Sequence, residues 1–318
     1  MPPGVERHAI EAAGRALEGR IRATPLVQDG ETGVWLKCEH EQITGSFKLR
    51  GAYHRILQLT EAERQRGVVA ASAGNHGQGV AYAARALGIE ASIVVPATAV
   101  ARKVDAIRAL GAQVISAAGG YAVAESEGHR LAEASGAVWV SPYNDPAVIA
   151  GQGTLGLEIE AEWGTALRAG GAQVFVPVGG GGLAAGMGVA LDAWRPQVRV
   201  IGVLPAHSPY LHAFFHHGSM DAVLEETTLA DGLAGAIETE SITLELARSF
   251  VDDMILVSED EIRGALVWAC RRGMIIEPSA AVALAGALRE KAAHRLAILS
   301  GGNVDPGLWE EIRQYAQA

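Results

Sequence analysis

The sequence contains only two cysteines, Cys38 and Cys270, far apart and without a CxxC pair. That excludes a disulfide framework and a cysteine-rich metal centre, and it suits a reducing, cytoplasmic setting. No run of about 18 apolar residues occurs, so no membrane-spanning helix is expected. The opening "MPPGVERHAIEAAGRALEGR" lacks a basic stretch followed by an apolar one, so it does not read as a secretory signal. Basic residues are in deficit: 26 Lys and Arg stand against 36 Asp and Glu, for a net charge of −10. A nucleic-acid partner is therefore not expected, because phosphate binding needs a dense basic surface. HExxH, G-x-S-x-G and any Gly-Lys pair are all missing. Zinc-protease, serine-hydrolase and Walker-loop chemistries fall away with them.

What the chain does have is apolar substance and glycine. Hydrophobic residues make up 49% of its 318 residues and charged residues 19%, enough for about two domains. Glycine numbers 39, about 12% of the chain, against a usual ~7%. The glycines cluster at a few places. Apolar runs predict strands at 34–39, 67–72, 91–95, 112–116, 137–140, 173–178, 198–203, 254–257 and 296–300. Helical patterns lie between many of them, at 75–87, 101–110, 121–135, 182–194 and 259–272. Apolar strands alternating with helices predict an α/β protein with mainly parallel sheets covered on both faces, in two three-layer domains. The Pro- and Gly-rich segment 141–153 reads as a crossing between them. Residues 1–51 and 147–318 are expected in a larger domain and 52–146 in a smaller one.

Four loops fall where strands run into helices, the usual place for ligands in open parallel sheets. "VPVGGGGLAAG" (176–186) runs a buried strand into Gly179, Gly180, Gly181 and Gly182, then a helix near Leu183. Four glycines let backbone amides converge on one anion, which a plain turn does not require. The loop loosely fits a dinucleotide fingerprint, but Leu204 stands at the end of the next strand where an acid should hold a ribose, so NAD is disfavoured. "AASAGNHGQGVAYAA" (70–84) places Ser72, Gly74 and Asn75 before a helix. A helix cap accounts for one such polar residue, but not for the cluster. His76 is given no role. "ILSGGNVD" (298–305) leaves Ser300 at the end of a buried strand. "TGSFKLRGAY" (44–53) puts Lys48, preceded by Phe47, at an apparent helix start. There the helix dipole disfavours an ammonium, and a neutral lysine attacks aldehydes. A nucleophilic lysine, an amide cup for phosphate, a donor-rich loop and a strand-end serine together describe a pyridoxal phosphate site.

The chain resembles the pyridoxal phosphate-dependent serine/threonine dehydratases, of the tryptophan synthase β-subunit-like fold. The resemblance runs through "TPL" (24–26), "KCEHEQITGSFKLRGA" (37–52), "SAGNHGQGVAYAA" (72–84), "AVIAGQGTLGLEI" (147–159), "VGGGGLAAG" (178–186), "TLADGLA" (228–234), "IIEPSAAVALA" (275–285) and "LSGGNVD" (299–305). It implies that Lys48 carries the Schiff base and then acts as the base on Cα–H. Phe47 would pack on the ring, and Asn75 would bond its 3-hydroxyl oxygen. Gly179 to Gly182 and the Leu183 amide would hold the phosphate, while Ser300 would face the pyridine nitrogen. Ser72, Gly74 and Asn75 would grip the substrate carboxylate. The implied reaction takes a β-hydroxy amino acid to a 2-oxo acid and ammonia, in a homodimer.

Departures from the family pattern narrow this. Where serine-racemising relatives carry a second serine, this chain has Ala73, which disfavours racemisation. Leu204 and Tyr210 stand where relatives hold a divalent cation with acids, so no metal is expected. The chain ends soon after the last motif, so an isoleucine-responsive extension is not expected. A racemase or β-replacement enzyme on the same cofactor, and an NAD-binding regulator, are the rival readings. The missing arginine near "GGYAVAES" (119–126) favours a neutral substrate such as threonine or serine, while Tyr121 leaves a bulkier 3-hydroxy amino acid open.

Overall fold

The computed structural model describes residues 5–317. Its strands, in chain order, are β1 (Leu26–Gln28), β2 (Trp35–Lys37), β3 (Val68–Ala71), β4 (Ala91–Pro96), β5 (Gln113–Ala117), β6 (Val138–Trp139), β7 (Ala172–Pro177), β8 (Val198–Pro205), β9 (Asp253–Val257) and β10 (His294–Ile298). The helices are α1 (Arg7–Leu17), α2 (Lys48–Leu57), α3 (Glu61–Arg66), α4 (Asn75–Ala86), α5 (Ala101–Ala109), α6 (Tyr121–Ser135) and α7 (Pro146–Ala169). They continue with α8 (Gly182–Leu191), α9 (Tyr210–His217), α10 (Ile242–Phe250), α11 (Glu259–Arg271), α12 (Pro278–Arg289) and α13 (Pro306–Gln317).

Two sheets result. One has the order β5-β4-β3-β6 and is parallel throughout. The other has the order β1-β2-β10-β7-β8-β9, with only β1 antiparallel to its neighbour. Both are buried on two faces, which is why their strands are apolar rather than alternating. On β7, Phe175 joins Ile201 and Val203 beneath α11 and α12, while Val174 and Val176 join Leu155 and Met187 on the other side. On β3, Val68 and Ala70 pack with Ile56 and Val80, and Val69 and Ala71 with Ala124 and Ala132 of α6. Each fully buried large side chain contributes about 1.5–3 kcal/mol. The fold is the expected α/β arrangement of two three-layer stacks.

All nine strands expected from the sequence are present, with bounds within two residues. The one strand not expected is β1, an exposed three-residue edge strand with no apolar run to betray it. The segment 141–153 needs correction. Only 141–145 is loop, and α7 starts at Pro146, capped by Asp145, whose carboxylate accepts from the Ala147 and Val148 amides at 2.7 and 3.1 Å. Its glycines are contact points, not breaks. A Cβ on Gly151 would stand 2.7 Å from the Arg50 carbonyl oxygen, and one on Gly153 2.9 Å from that of Gly186. Glycine here lets α7 press against the backbones of α2 and α8, and tertiary packing outweighs its poor helix propensity.

Candidate active site

Distant parts of the chain are stitched together around Lys48. The Phe47 amide donates to the Ser300 carbonyl at 3.0 Å, Gly302 to Gly45 at 2.9 Å, and Glu277 to Gly301 at 3.0 Å. Ser46 and Gly301 form a β-bridge. Asn303 Nδ2 donates to the Thr44 carbonyl at 2.9 Å and to Asn75 Oδ1 at 2.7 Å. The lysine loop, the asparagine loop and the strand-end serine loop therefore form one hydrogen-bonded unit.

Lys48 is the first residue of α2, as expected, with Phe47 as the cap. Its Nζ donates to the Pro142 carbonyl at 2.8 Å and stands 5.2 Å from the centre of the Phe47 ring. Burial pushes its ammonium down from the usual lysine range to about 8, while the nearby Glu277 carboxyl pulls the other way. A carbonyl partner solvates an amine without fixing a positive charge on it.

Glu277 is the residue that sequence reasoning missed. It precedes α12, and its carboxylate accepts from Asn75 Nδ2 at 2.7 Å. Burial pushes its carboxyl up to about 7, opposed first by that Asn75 bond. Its only sequence signal was an acid set directly before Pro278 in an apolar run. His76 is buried, and its Nε2 lies 2.8 Å from the Val140 carbonyl. Burial, then the Lys48 charge, push it down to about 3, so it is a neutral core residue.

The four glycines join β7 to α8 as expected, with Gly181 at φ +85°. Protein atoms, and not only ligand access, demand them. A Cβ on Gly180 would meet the Tyr143 ring at 2.4 Å, one on Gly181 Leu211 at 2.8 Å, and one on Gly182 Tyr143 at 3.1 Å. Tyr143 is thus a second residue that sequence reasoning passed over. Ser72 turns inward to its own loop, its Oγ accepting from the Gly74 amide at 3.1 Å. Ser300 is buried behind β10. Leu204 sits in the core of the larger sheet, and Tyr210 opens α9. Cys38, His40 and Glu41 have ligating atoms within 4.8 Å of one another, but burial pushes the Cys38 thiol up to about 12 and it donates to the Leu36 carbonyl.

These groups suit an aldehyde-bearing phosphate ester. Among the described residues the Lys48 amine, its pKa lowered, pairs with no carboxylate, and a helix start presents the Gly179–Leu183 backbone. The buried Ser46 Oγ, beside Phe47, has no partner among the described residues. The sequence profile of the pyridoxal-phosphate dependent enzymes matches residues 17–301. The chain belongs to that family. Its cofactor is pyridoxal phosphate. This pyridoxal-phosphate dependent enzyme is 42% identical over 315 residues to the L-threonine ammonia-lyase of Thermotoga maritima, across 95% of this chain and 77% of that one. Maize serine racemase matches with a TM-score of 0.89 and 30% identity, over 99% of this chain and 98% of that one. The processed threonine deaminase isoform 2 of Solanum lycopersicum matches with a TM-score of 0.88 and 32% identity, over 100% and 96%.

Proposed function

We propose that the protein is a pyridoxal phosphate-dependent ammonia-lyase of the threonine/serine dehydratase type. It converts a β-hydroxy amino acid to a 2-oxo acid and ammonia. The observation that carries this reading is the half-buried Lys48 amine, held at a helix start by a carbonyl at 2.8 Å. Its support is the identity with the Thermotoga L-threonine ammonia-lyase. When bound, pyridoxal phosphate supplies an aldehyde and a conjugated ring that takes up an electron pair. Lys48 would bond the aldehyde and would take the proton from Cα. Phe47 would lie against the ring, Asn75 would bond its 3-oxygen with Glu277 steadying the amide, and Ser300 would face its nitrogen. Gly179 to Gly182 and the Leu183 amide would hold the phosphate. Ser72, Gly74 and Asn75 hold the substrate carboxylate. The β-hydroxyl leaves as water, and a water is consumed when the enamine product hydrolyses, so the net change is amino acid to 2-oxo acid plus ammonia.

Ala73 offers no proton carrier beside the asparagine loop, which favours elimination over racemisation. We also propose a cytoplasmic homodimer, with 1–51 and 147–318 as the larger unit and 52–146 as the smaller. Among the described residues no helix is long and apolar enough to cross a membrane, and Cys38 and Cys270 form no disulfide. The test is to purify the protein and its Lys48→Ala variant and measure visible absorption and 2-oxo acid release from L-threonine and L-serine. Both signals are expected from the parent protein and neither from the variant. A variant that keeps both refutes the reading.

A further inference from the structure

The amide of Asn75 is clamped at both ends, and the clamp has a polarity. Asn75 opens α4 and is half-buried. Its Oδ1 accepts from Asn303 Nδ2 at 2.7 Å, and its Nδ2 donates to Glu277 Oε1 at 2.7 Å. Asn303 Nδ2 also donates to the Thr44 carbonyl at 2.9 Å. A backbone carbonyl only accepts, so the nitrogen end of Asn303 must face Thr44. That nitrogen has two protons to give and cannot accept. One goes to Thr44, so the other requires an oxygen opposite, and Asn75 must turn its Oδ1 there. The Glu277 carboxylate imposes the same choice from the far end. Turning the Asn75 amide over would set nitrogen against nitrogen at Asn303 and oxygen against oxygen at Glu277. Gly45, at φ +73°, makes room for the arrangement, since a Cβ there would stand 2.7 Å from Asn303 Oδ1. The clamp lies beside the nucleophile. Gly79, one turn along α4 from Asn75, is so close to Lys48 that its Cβ would stand 3.2 Å from the Lys48 carbonyl carbon.

We propose that Asn303 is a positioning residue which, with Glu277, fixes the direction of the Asn75 amide, so that an N–H and not an oxygen is presented to the 3-oxygen of pyridoxal phosphate. This rests on the contact between Asn75 and that oxygen proposed above. Asn75 Nδ2 carries two protons, and among the described residues only Glu277 takes one. The second is free for the ring oxygen. A donor at that place favours the unprotonated form of the oxygen, as hydrogen bonding to a charged form does generally. Asn303 acts only through Asn75, and its own anchor is a backbone carbonyl that no side-chain change removes.

The test measures Kd for pyridoxal phosphate and for 3-deoxypyridoxal phosphate on the full chain stripped of cofactor. The second compound keeps the aldehyde and the phosphate but lacks the 3-oxygen, so the ratio of the two isolates what that oxygen contributes. In Asn303→Asp a carboxylate faces the Thr44 carbonyl and Asn75 Oδ1, which turns the amide over. The preference for pyridoxal phosphate is then expected to fall about tenfold or more. Asn303→Ala removes the clamp without reversing it, and the preference is expected to fall about threefold. Asn75→Ala sets the floor. The double variant Asn75→Ala/Asn303→Ala is expected to fall no further, because the two residues act as one. A merely structural role weakens both compounds alike, and an unmoved ratio in the Asn303 variants overturns the proposal. A further fall in the double variant overturns it too. If Asn303→Asp does not fold, Asn303→Ala decides alone. An Asn75→Ala protein that keeps the parent's preference overturns the proposal together with the assigned contact to the 3-oxygen. A parent protein that binds pyridoxal phosphate but releases no 2-oxo acid from L-threonine or L-serine refutes the ammonia-lyase reading instead, and the binding ratios still judge the clamp.

Discussion

Two lysines eleven residues apart are both taken into the protein, and their fates differ. Lys37 is fully buried and donates to the Thr24 carbonyl at 2.7 Å, with Glu158 at 2.8 Å and Glu162 at 2.7 Å. Beside it, Arg50 is shared between Glu39 at 2.7 Å and Glu158 at 2.6 Å, and Thr24 donates to Glu39 as well. Lys48 has one carbonyl. Burial penalises charge at all three positions. Carboxylate partners return what burial takes and lock the cation in place, whereas a carbonyl lets the proton go. The partner helps to separate a structural cation from a nucleophile.

The sharpest way to break this contrast is to remove each cation in turn and measure urea unfolding. Arg50→Met strands the fully buried Glu39 and leaves Glu158 with Lys37 alone, and is expected to cost about 3–5 kcal/mol. Lys48→Ala strands only a carbonyl, so cofactor-free stability is expected to fall by less than about 1 kcal/mol. Equal losses would mean that Lys48 is held as a structural charge.

A second measurement sharpens the difference through pH. The free amine attacks the aldehyde, and Lys48 titrates at about 8. Recapture of pyridoxal phosphate by stripped protein is therefore expected to speed up about tenfold per pH unit below 8 and to level off above it. A rate still climbing through pH 10 would indicate an ordinary lysine.

The smallest effect belongs to Glu277, the acid that acts on Lys48 among the described residues. Its charge raises the lysine's pKa, so Glu277→Gln is expected to move that midpoint down, by under about one unit. Glu277 itself sits at about 7 instead of 4.5. The folded protein then holds a proton that the unfolded chain releases, so this residue's stabilisation is lost as pH rises from 4.5 to 7. Thermal melts of the cofactor-free Glu277→Gln variant should lack that slope. A midpoint that moves upward contradicts the assigned contact.

Much of this molecule is legible in its sequence. The strands show themselves because burial on both faces makes them uniformly apolar, and the four loops do so because glycine and isolated polar residues are costly unless used. What stays hidden has no local mark. Glycines 151, 153 and 156 argue for a break when read along the chain, and only the pressure of α2 and α8 on α7 gives them their purpose. Asn303 looks like any turn asparagine, yet it ties Thr44 to Asn75. Tyr143 gains meaning only from Gly180 and the Glu238 amide, both distant along the chain.

The seam between Ser46 and Gly301 has a consequence for how the protein is born. The ribosome delivers the nucleophile long before the strip that seats it, from Ser300 to Asn303. A nascent chain carries Lys48 without these partners until that strip has emerged. A product cut short before Ser300 is expected to leave its lysine unseated and to stay colourless.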